Sequence, residues 1–125
     1  MKMENPSWRF NGNERQYLEE VLGSGFRAGA DGAFTTRLEK AFSNAYNVKY
    51  GIAFNSGTTT LHAILLAMGC SKGDEVLTPA LTPAMCGLAP YYTGATPVYV
   101  DSLPDTFLMD PQDIKRKITP KTKVI

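Results

Sequence analysis

The sequence predicts an α/β fold, a mostly parallel sheet with flanking helices, and two observations predict it. From Tyr50 onward, short apolar runs alternate with helical stretches in the order strand, helix, strand, helix, strand, helix, strand. Strands separated by helices build βαβ units and a parallel sheet. Before Tyr50 there is no such rhythm, only two helical periods. The chain therefore reads as a helical segment, residues 1–49, followed by an α/β part, residues 50–125. At 125 residues it is long enough for one core.

Taken in order, Asn13 to Leu22 predicts a short helix, because Tyr17, Leu18, Val21 and Leu22 make one apolar stripe. Asn11 or Asn13 stands where a cap is needed, and Gly23 and Gly25 stop the helix. Phe26 to Gly32 is a glycine-rich loop, read as a connector. Phe34 to Tyr46 predicts an amphipathic helix carrying Phe34, Leu38, Ala41, Phe42, Ala45 and Tyr46 on one face, with Arg37, Glu39, Lys40 and Asn44 facing away. Tyr50 to Phe54 predicts a strand. Gly57 to Met68 predicts a helix that is apolar on most sides, which should be largely buried, and Gly69 ends it. Lys72-Gly73-Asp74 is a turn and Glu75 to Thr78 a strand. Pro83 to Tyr92 predicts a helix closed by Gly94; Pro90 inside it removes the backbone bond to Cys86 and should kink it. Pro97 to Val100 is a strand, Asp110 to Lys117 a helix with Asp110 as its cap and Pro111 at its first position, and Lys123 to Ile125 the start of a further strand. A natural domain ends on exposed polar residues, so this ending is expected to be a truncation inside an element.

Composition excludes several functions. Thirteen basic and twelve acidic residues nearly cancel, which argues against a nucleic-acid or membrane-surface partner. The longest basic run, Lys115-Arg116-Lys117, reads as a solvated helix face. Two cysteines, Cys70 and Cys86, and a single histidine, His62, do not have zinc-site spacing; they read as reduced thiols and a structural histidine. Met1 to Phe10 has no apolar leader and no stretch reaches a membrane span, so the expected location is the cytoplasm. Trp8 stands among polar residues as a candidate for packing on a neighbouring element or a second subunit.

One segment has the chemistry of a site. Phe54-Asn55-Ser56-Gly57-Thr58-Thr59-Thr60 joins a strand to the start of a helix. The first turn of a helix has free N–H groups and the positive end of the dipole, which suit an anion. Gly57 permits close approach of backbone to a phosphate, and the threonines add hydroxyl donors. Two readings stand: Ser56 or Thr58 merely caps the helix, or the turn holds a phosphate-bearing ligand. The pattern is neither GxGxxG nor GxxxxGK[ST]. Asp101, at the end of a strand and before Ser102-Leu103-Pro104-Asp105, is either a site residue or a turn cap.

These residues, with Leu61, Ala67-Met68-Gly69, Gly73-Asp74-Glu75-Val76, Pro79, Thr82, Gly94-Ala95, Pro97-Val98, Val100-Asp101, Ile118-Thr119-Pro120, Thr122-Lys123 and, upstream, Glu39 and Phe42, resemble the DegT/DnrJ/EryC1/StrS family of sugar aminotransferases. The match runs from about Glu14 to the last residue. It implies part of the large domain of the aspartate-aminotransferase-type fold, fold type I, of which residues 50–125 are the first portion. It implies pyridoxal 5′-phosphate (PLP) as cofactor, held as a Schiff base by a lysine, and transfer of an amino group from an amino acid, usually glutamate, to a nucleotide-linked keto-sugar. It implies a homodimer with its active sites at the subunit interface. Gly57, Thr58 and Thr59 match the turn that binds the PLP phosphate, and Pro83 falls where the family places an aromatic residue against the pyridine ring. Proline offers a flat ring but no aromatic face, leaving Met85 or a neighbour as a substitute wall.

The resemblance puts the aspartate that pairs with the pyridine nitrogen, the lysine and the small domain after residue 125. Lys40, Lys49 and Lys72 do not match the lysine's place, so no catalytic residue is assigned and the chain is expected to be an inactive N-terminal portion. It also implies that the neighbours of a strand at Tyr50–Phe54 come from later sequence, so that this segment and the apolar surface beside it lie open, an aggregation hazard. The competing expectations are a non-catalytic α/β module that binds a phosphate-bearing ligand or a protein partner, and a family relative without the lysine that acts as a dehydratase or regulator.

Overall fold

A computed structural model describes residues 12–25 and 33–125. Trp8, Asn11 and the glycine-rich loop at Phe26–Gly32 lie outside the described residues. The chain divides by its contacts into two units, Met1–Ala53 and Phe54–Ile125.

In the first unit, α1 spans Glu14–Gly23 and α2 spans Ala33–Ala45. Gly25 follows α1 at φ +71°, a left-handed conformation that glycine adopts without strain. Asn47, the residue type that best tolerates the same region after glycine, closes the end of α2 at φ 51°, and Val48 N–H reaches back to Ser43 O at 3.0 Å. No residue of either helix is buried. Their described contacts are at the surface: Arg37 pairs with Glu20 at 2.9 Å, and its guanidinium lies over the rings of Phe34 (4.5 Å) and Tyr17 (5.2 Å).

The strand expected at Tyr50–Phe54 does not form. A strand exists through its ladder, and none of the described residues pairs with this segment. Instead, Glu39 turns toward it rather than away: its carboxylate accepts Ala53 N–H at 2.9 Å. Gly51 lies so close to α2 that a Cβ there would stand 2.6 Å from Glu39 O. Tyr50 and Ile52 remain 71% and 72% exposed.

The second unit is the predicted α/β layer. β1 (Glu75–Pro79), β2 (Thr96–Val100) and β3 (Thr122–Val124) form a parallel sheet in the order β2-β1-β3. Glu75 aligns with Thr96 and Pro79 with Val100; on the other side Glu75 aligns with Thr122, with a register shift after it. Three helices, α3 (Gly57–Ala67), α4 (Met85–Tyr92) and α5 (Pro111–Lys117), connect or precede the strands. α4 packs on β1 and β2, α5 packs on β2, and α3 packs on α4. The core gathers Leu65, Cys70, Val76, Ala89 and Ala95, with Leu61 and Val124 against it; Leu77 is 2% exposed and Val100 fully buried.

Local chemistry sets the boundaries. α3 ends at a left-handed glycine, Gly69 (φ +75°), with Cys70 N–H returning to Leu65 O at 2.9 Å. Asp110 caps α5 by accepting Gln112 N–H at 2.8 Å, with Pro111 at the first position as expected. α4 begins at Met85, two residues later than expected, since Pro83 and Ala84 form a lead-in turn in which Pro83 O accepts Cys86 N–H at 3.0 Å. Pro90 is buried in α4, which ends two residues beyond it. There the carbonyl of Pro90 accepts both Thr93 N–H (3.0 Å) and the Thr93 hydroxyl (2.7 Å).

The expectation that α3 is largely buried is corrected: Leu65 is its one buried residue, while Ile64 and Leu66 are 50% and 53% exposed. Apolarity all round shows that a helix has apolar faces to cover, but among the described elements α3 packs mainly on α4 and reaches the core cluster through Leu61 and Leu65. Gly87 leaves room on α4 for the side chain of Tyr99 from β2; a Cβ there would overlap the hydroxyl oxygen of that tyrosine.

Candidate cofactor site at the start of α3

Ser56 has extended backbone (φ −161°, ψ 158°) and is the N-cap of α3. Its Oγ accepts Thr59 N–H at 3.2 Å, and the two hydroxyls meet at 2.7 Å. The Thr59 hydroxyl donates to Asn55 Oδ1 at 2.7 Å, and the Thr60 hydroxyl donates to Ser56 O at 3.1 Å. Capping by Ser56 is thus realised, but it satisfies only part of the turn. The N–H groups of Gly57 and Thr58 and the Thr58 hydroxyl have no partner among the described residues, and Gly57 faces open space, with nothing within 4 Å of a Cβ position. Asn55, Ser56, Gly57 and Thr59 are exposed and Thr58 half-buried. Donor groups, a helix dipole and unobstructed access together suit an oxyanion such as a phosphate.

Of the four residues singled out for a cofactor, Gly57, Thr58 and Thr59 therefore share one turn, with the Thr59 hydroxyl committed to Asn55 and Ser56. Pro83 lies elsewhere in the same unit, exposed, in the turn that leads from β1 into α4. It precedes the helix rather than opening it. The turn is braced by Ala80 N–H donating to Val100 O (2.8 Å) and by the Thr82 hydroxyl donating to Cys86 Sγ (3.1 Å).

Asp101 acts as a turn cap: its Oδ1 accepts Ser102 N–H at 2.8 Å. His62 is half-buried with its ring edge-on to Tyr92, centroids 5.9 Å apart, on the α3–α4 contact. Burial pushes the Cys70 thiol up, with Asp74 adding to the effect and Lys123 opposing it. Asp113 went unnoticed in the sequence. It is buried, and its carboxylate accepts Asp101 N–H (2.7 Å) while pairing with Lys117 (2.8 Å) and Arg116 (3.0 Å). The Asp101 amide, and next the Lys117 ammonium, hold its carboxyl at about 2, below the usual 3.8. The spacing Asp113, Arg116, Lys117 (i, i+3, i+4) was the available signal. The basic run read as a solvated face thus has Lys115 in solvent but Arg116 and Lys117 turned to a buried acid.

Among the described residues no helix is long and apolar enough to cross a membrane, and no group of three or more His, Cys, Asp or Glu is placed to hold a metal ion.

A parallel sheet with flanking helices, and a helix-start turn fit for a phosphate, point to a class, and solved structures agree on the fold. The fold is part of the large domain of the fold-type I PLP-dependent aminotransferases. A sugar aminotransferase from Streptococcus pneumoniae, Spr1654 in its PLP form, superposes with a TM-score of 0.74 at 36% identity over 84% of this chain and 27% of that one. NtdA from Bacillus subtilis, with bound cofactor PMP, does so with a TM-score of 0.78 at 38% identity over 86% of this chain and 24% of that one. The model of the DegT/DnrJ/EryC1/StrS aminotransferase family matches residues 9–125, and the chain belongs to that family. A GDP-perosamine synthase of Caulobacter vibrioides is 44% identical over 117 residues, which are 94% of this chain and 31% of that protein. The chain thus spans about a third of the length of the curated relatives it matches.

Proposed function

We propose that this chain carries the phosphate-anchoring part of a PLP-dependent aminotransferase that moves an amino group from an amino acid, glutamate, to a nucleotide-linked keto-sugar. The carrying observation is the first turn of α3, where Gly57 faces open space and the N–H groups of Gly57 and Thr58 have no partner among the described residues, in a chain of this family. The residues present fit the cofactor's phosphate. Gly57 and Thr58 bind it through backbone N–H groups and a hydroxyl, and Thr59 holds the turn in shape through Asn55 and Ser56. Pro83 supplies a flat apolar face for the ring. PLP, when bound, supplies the electron sink that lets an amino group pass between two carbon skeletons. The lysine and the aspartate that this chemistry needs belong, on this reading, to sequence past Ile125, and the enzyme works as a cytoplasmic homodimer.

Reading the coding sequence past Ile125 is the first test. A continuing frame with that aspartate and lysine supports the transaminase reading; an immediate stop codon overturns it and leaves a module that binds a phosphate-bearing ligand. Titration with PLP and with pyridoxal, followed by absorbance, tests the turn itself. Thr58→Val should weaken PLP binding by about tenfold and leave pyridoxal unaffected. Equal affinity for the two compounds in the unmutated protein would remove the turn from the site.

A further inference from the structure

Asp113 sits in α5, away from the α3 turn in sequence, yet a continuous set of bonds runs from it to the turn that carries Pro83. Its Oδ2 accepts Asp101 N–H at 2.7 Å, which fixes the carboxyl end of β2. Lys117, paired with the same carboxylate at 2.8 Å, also donates to Tyr99 O in β2. Between these two points lies Val100, fully buried, whose carbonyl accepts Ala80 N–H at 2.8 Å. Ala80 opens the segment Leu81-Thr82-Pro83, which is closed at its other end by Thr82 Oγ1 donating to Cys86 Sγ and Cys86 N–H donating to Pro83 O. Ala80 N–Val100 O is thus a shared point: it belongs to the end of β2 that Asp113 holds and to the turn that Pro83 occupies.

We infer that Asp113 is a positioning residue for the β1–α4 turn, acting through the end of β2 on the wall that Pro83 offers to a cofactor. What the turn holds rests on the function proposed above; the mechanical link does not, and it is tested without cofactor. A buried carboxylate with three donors over-determines the position of Asp101 N–H, and a strand end held in this way keeps Val100 O aimed at Ala80. Without it, the end of β2 frays and the turn loses its anchor while the start of β2 stays paired, since Thr96 N–H bonds to Asp74 O at the opposite end of the strand.

The two cysteines report on this directly. Cys86 is half-buried in the turn's closing bond, and Cys70 is buried in the core, so each serves as the other's control. Alkylation rates of both thiols are measured by mass spectrometry in the unmutated protein, Asp113→Ala and Asp113→Asn. Asn keeps an oxygen for Asp101 N–H but loses the charge. The expected result is a rise in Cys86 rate of about tenfold in D113A and about threefold in D113N, with Cys70 unchanged in D113N. An unchanged Cys86 rate in both variants overturns the link. So does an equal rise at Cys70 and Cys86 in D113N, because that is general loss of structure rather than release of one turn. If PLP fails to bind while the Cys86 pattern holds, the proposed function falls and the positioning role stands.

Discussion

The two units of the chain hold themselves together by different means. In Phe54–Ile125 the stabilising groups are out of water: a parallel sheet, a cluster around Leu65, Cys70, Val76, Ala89 and Ala95, and one buried acid with three donors. In Met1–Ala53 no residue of the described helices is fully buried, and what joins them is an exposed arginine shared between a glutamate and two rings, with those rings, Tyr17 and Phe34, edge-on at 5.8 Å. Burial contributes roughly 25 cal/mol for each Å² of apolar surface, whereas an exposed ion pair contributes about 0–1 kcal/mol. Regular helical periodicity is present in both units, so periodicity marks where a helix forms and says little about what it gains by forming.

That contrast can be broken most directly by truncating a side chain in each unit. Leu77→Ala should cost about 3 kcal/mol in urea unfolding, while Phe42→Ala, on the half-exposed face of α2, should cost about 1 kcal/mol or less. Equal losses would show that the first unit has a core of its own. A smaller and more pointed effect is expected at Gly87. Gly87→Ala should destabilise by about 1 kcal/mol because of Tyr99, but in a Tyr99→Ala background the same change should stabilise by up to about 1 kcal/mol, since alanine favours helix. The same sign in both backgrounds would show that the tyrosine does not crowd position 87.

Acid should act on the second unit through Asp113. Its carboxyl is lowered from 3.8 to about 2 in the folded chain, so the folded state favours the charged form. The stabilisation is present above about pH 4 and is lost as pH falls toward 2. The melting temperature of Asp113→Asn should therefore vary less over that window than that of the unmutated protein. The smallest effect is expected from Arg37→Ala, about 0.5 kcal/mol and diminished by salt, read as a change in helical circular dichroism.

Much of the second unit was legible because its signals are local. Asp110 and Pro111 mark the start of α5, Gly69 and Gly94 follow the ends of α3 and α4, and Lys72-Gly73-Asp74 forms the turn into β1. Three things were not legible. Tyr50–Phe54 has strand composition but no ladder, because a partner strand is not encoded in the segment itself. The exposure of Ile64 and Leu66 depends on what packs on α3, which the helix's own residues do not state. Asp113 was hidden in a basic run, and its burial follows from where β2 ends. At the candidate site, the turn at Gly57–Thr59 was legible as a helix start with donors, but the division of labour was not. Thr59 is committed to Asn55 and Ser56, and Thr58 is the threonine whose hydroxyl has no partner among the described residues.

The sheet order also implies an order of assembly in time. β1 lies between its two neighbours, yet the pairing of Glu75 with Thr96 closes a loop of 21 residues and its pairing with Thr122 one of 47. The longer closure costs about 0.7 kcal/mol more in chain entropy. It also yields a shorter strand of three residues with a shifted register. β1 and β2 can therefore pair before β3 joins, and the central strand has one side open until Thr122–Val124 reach it.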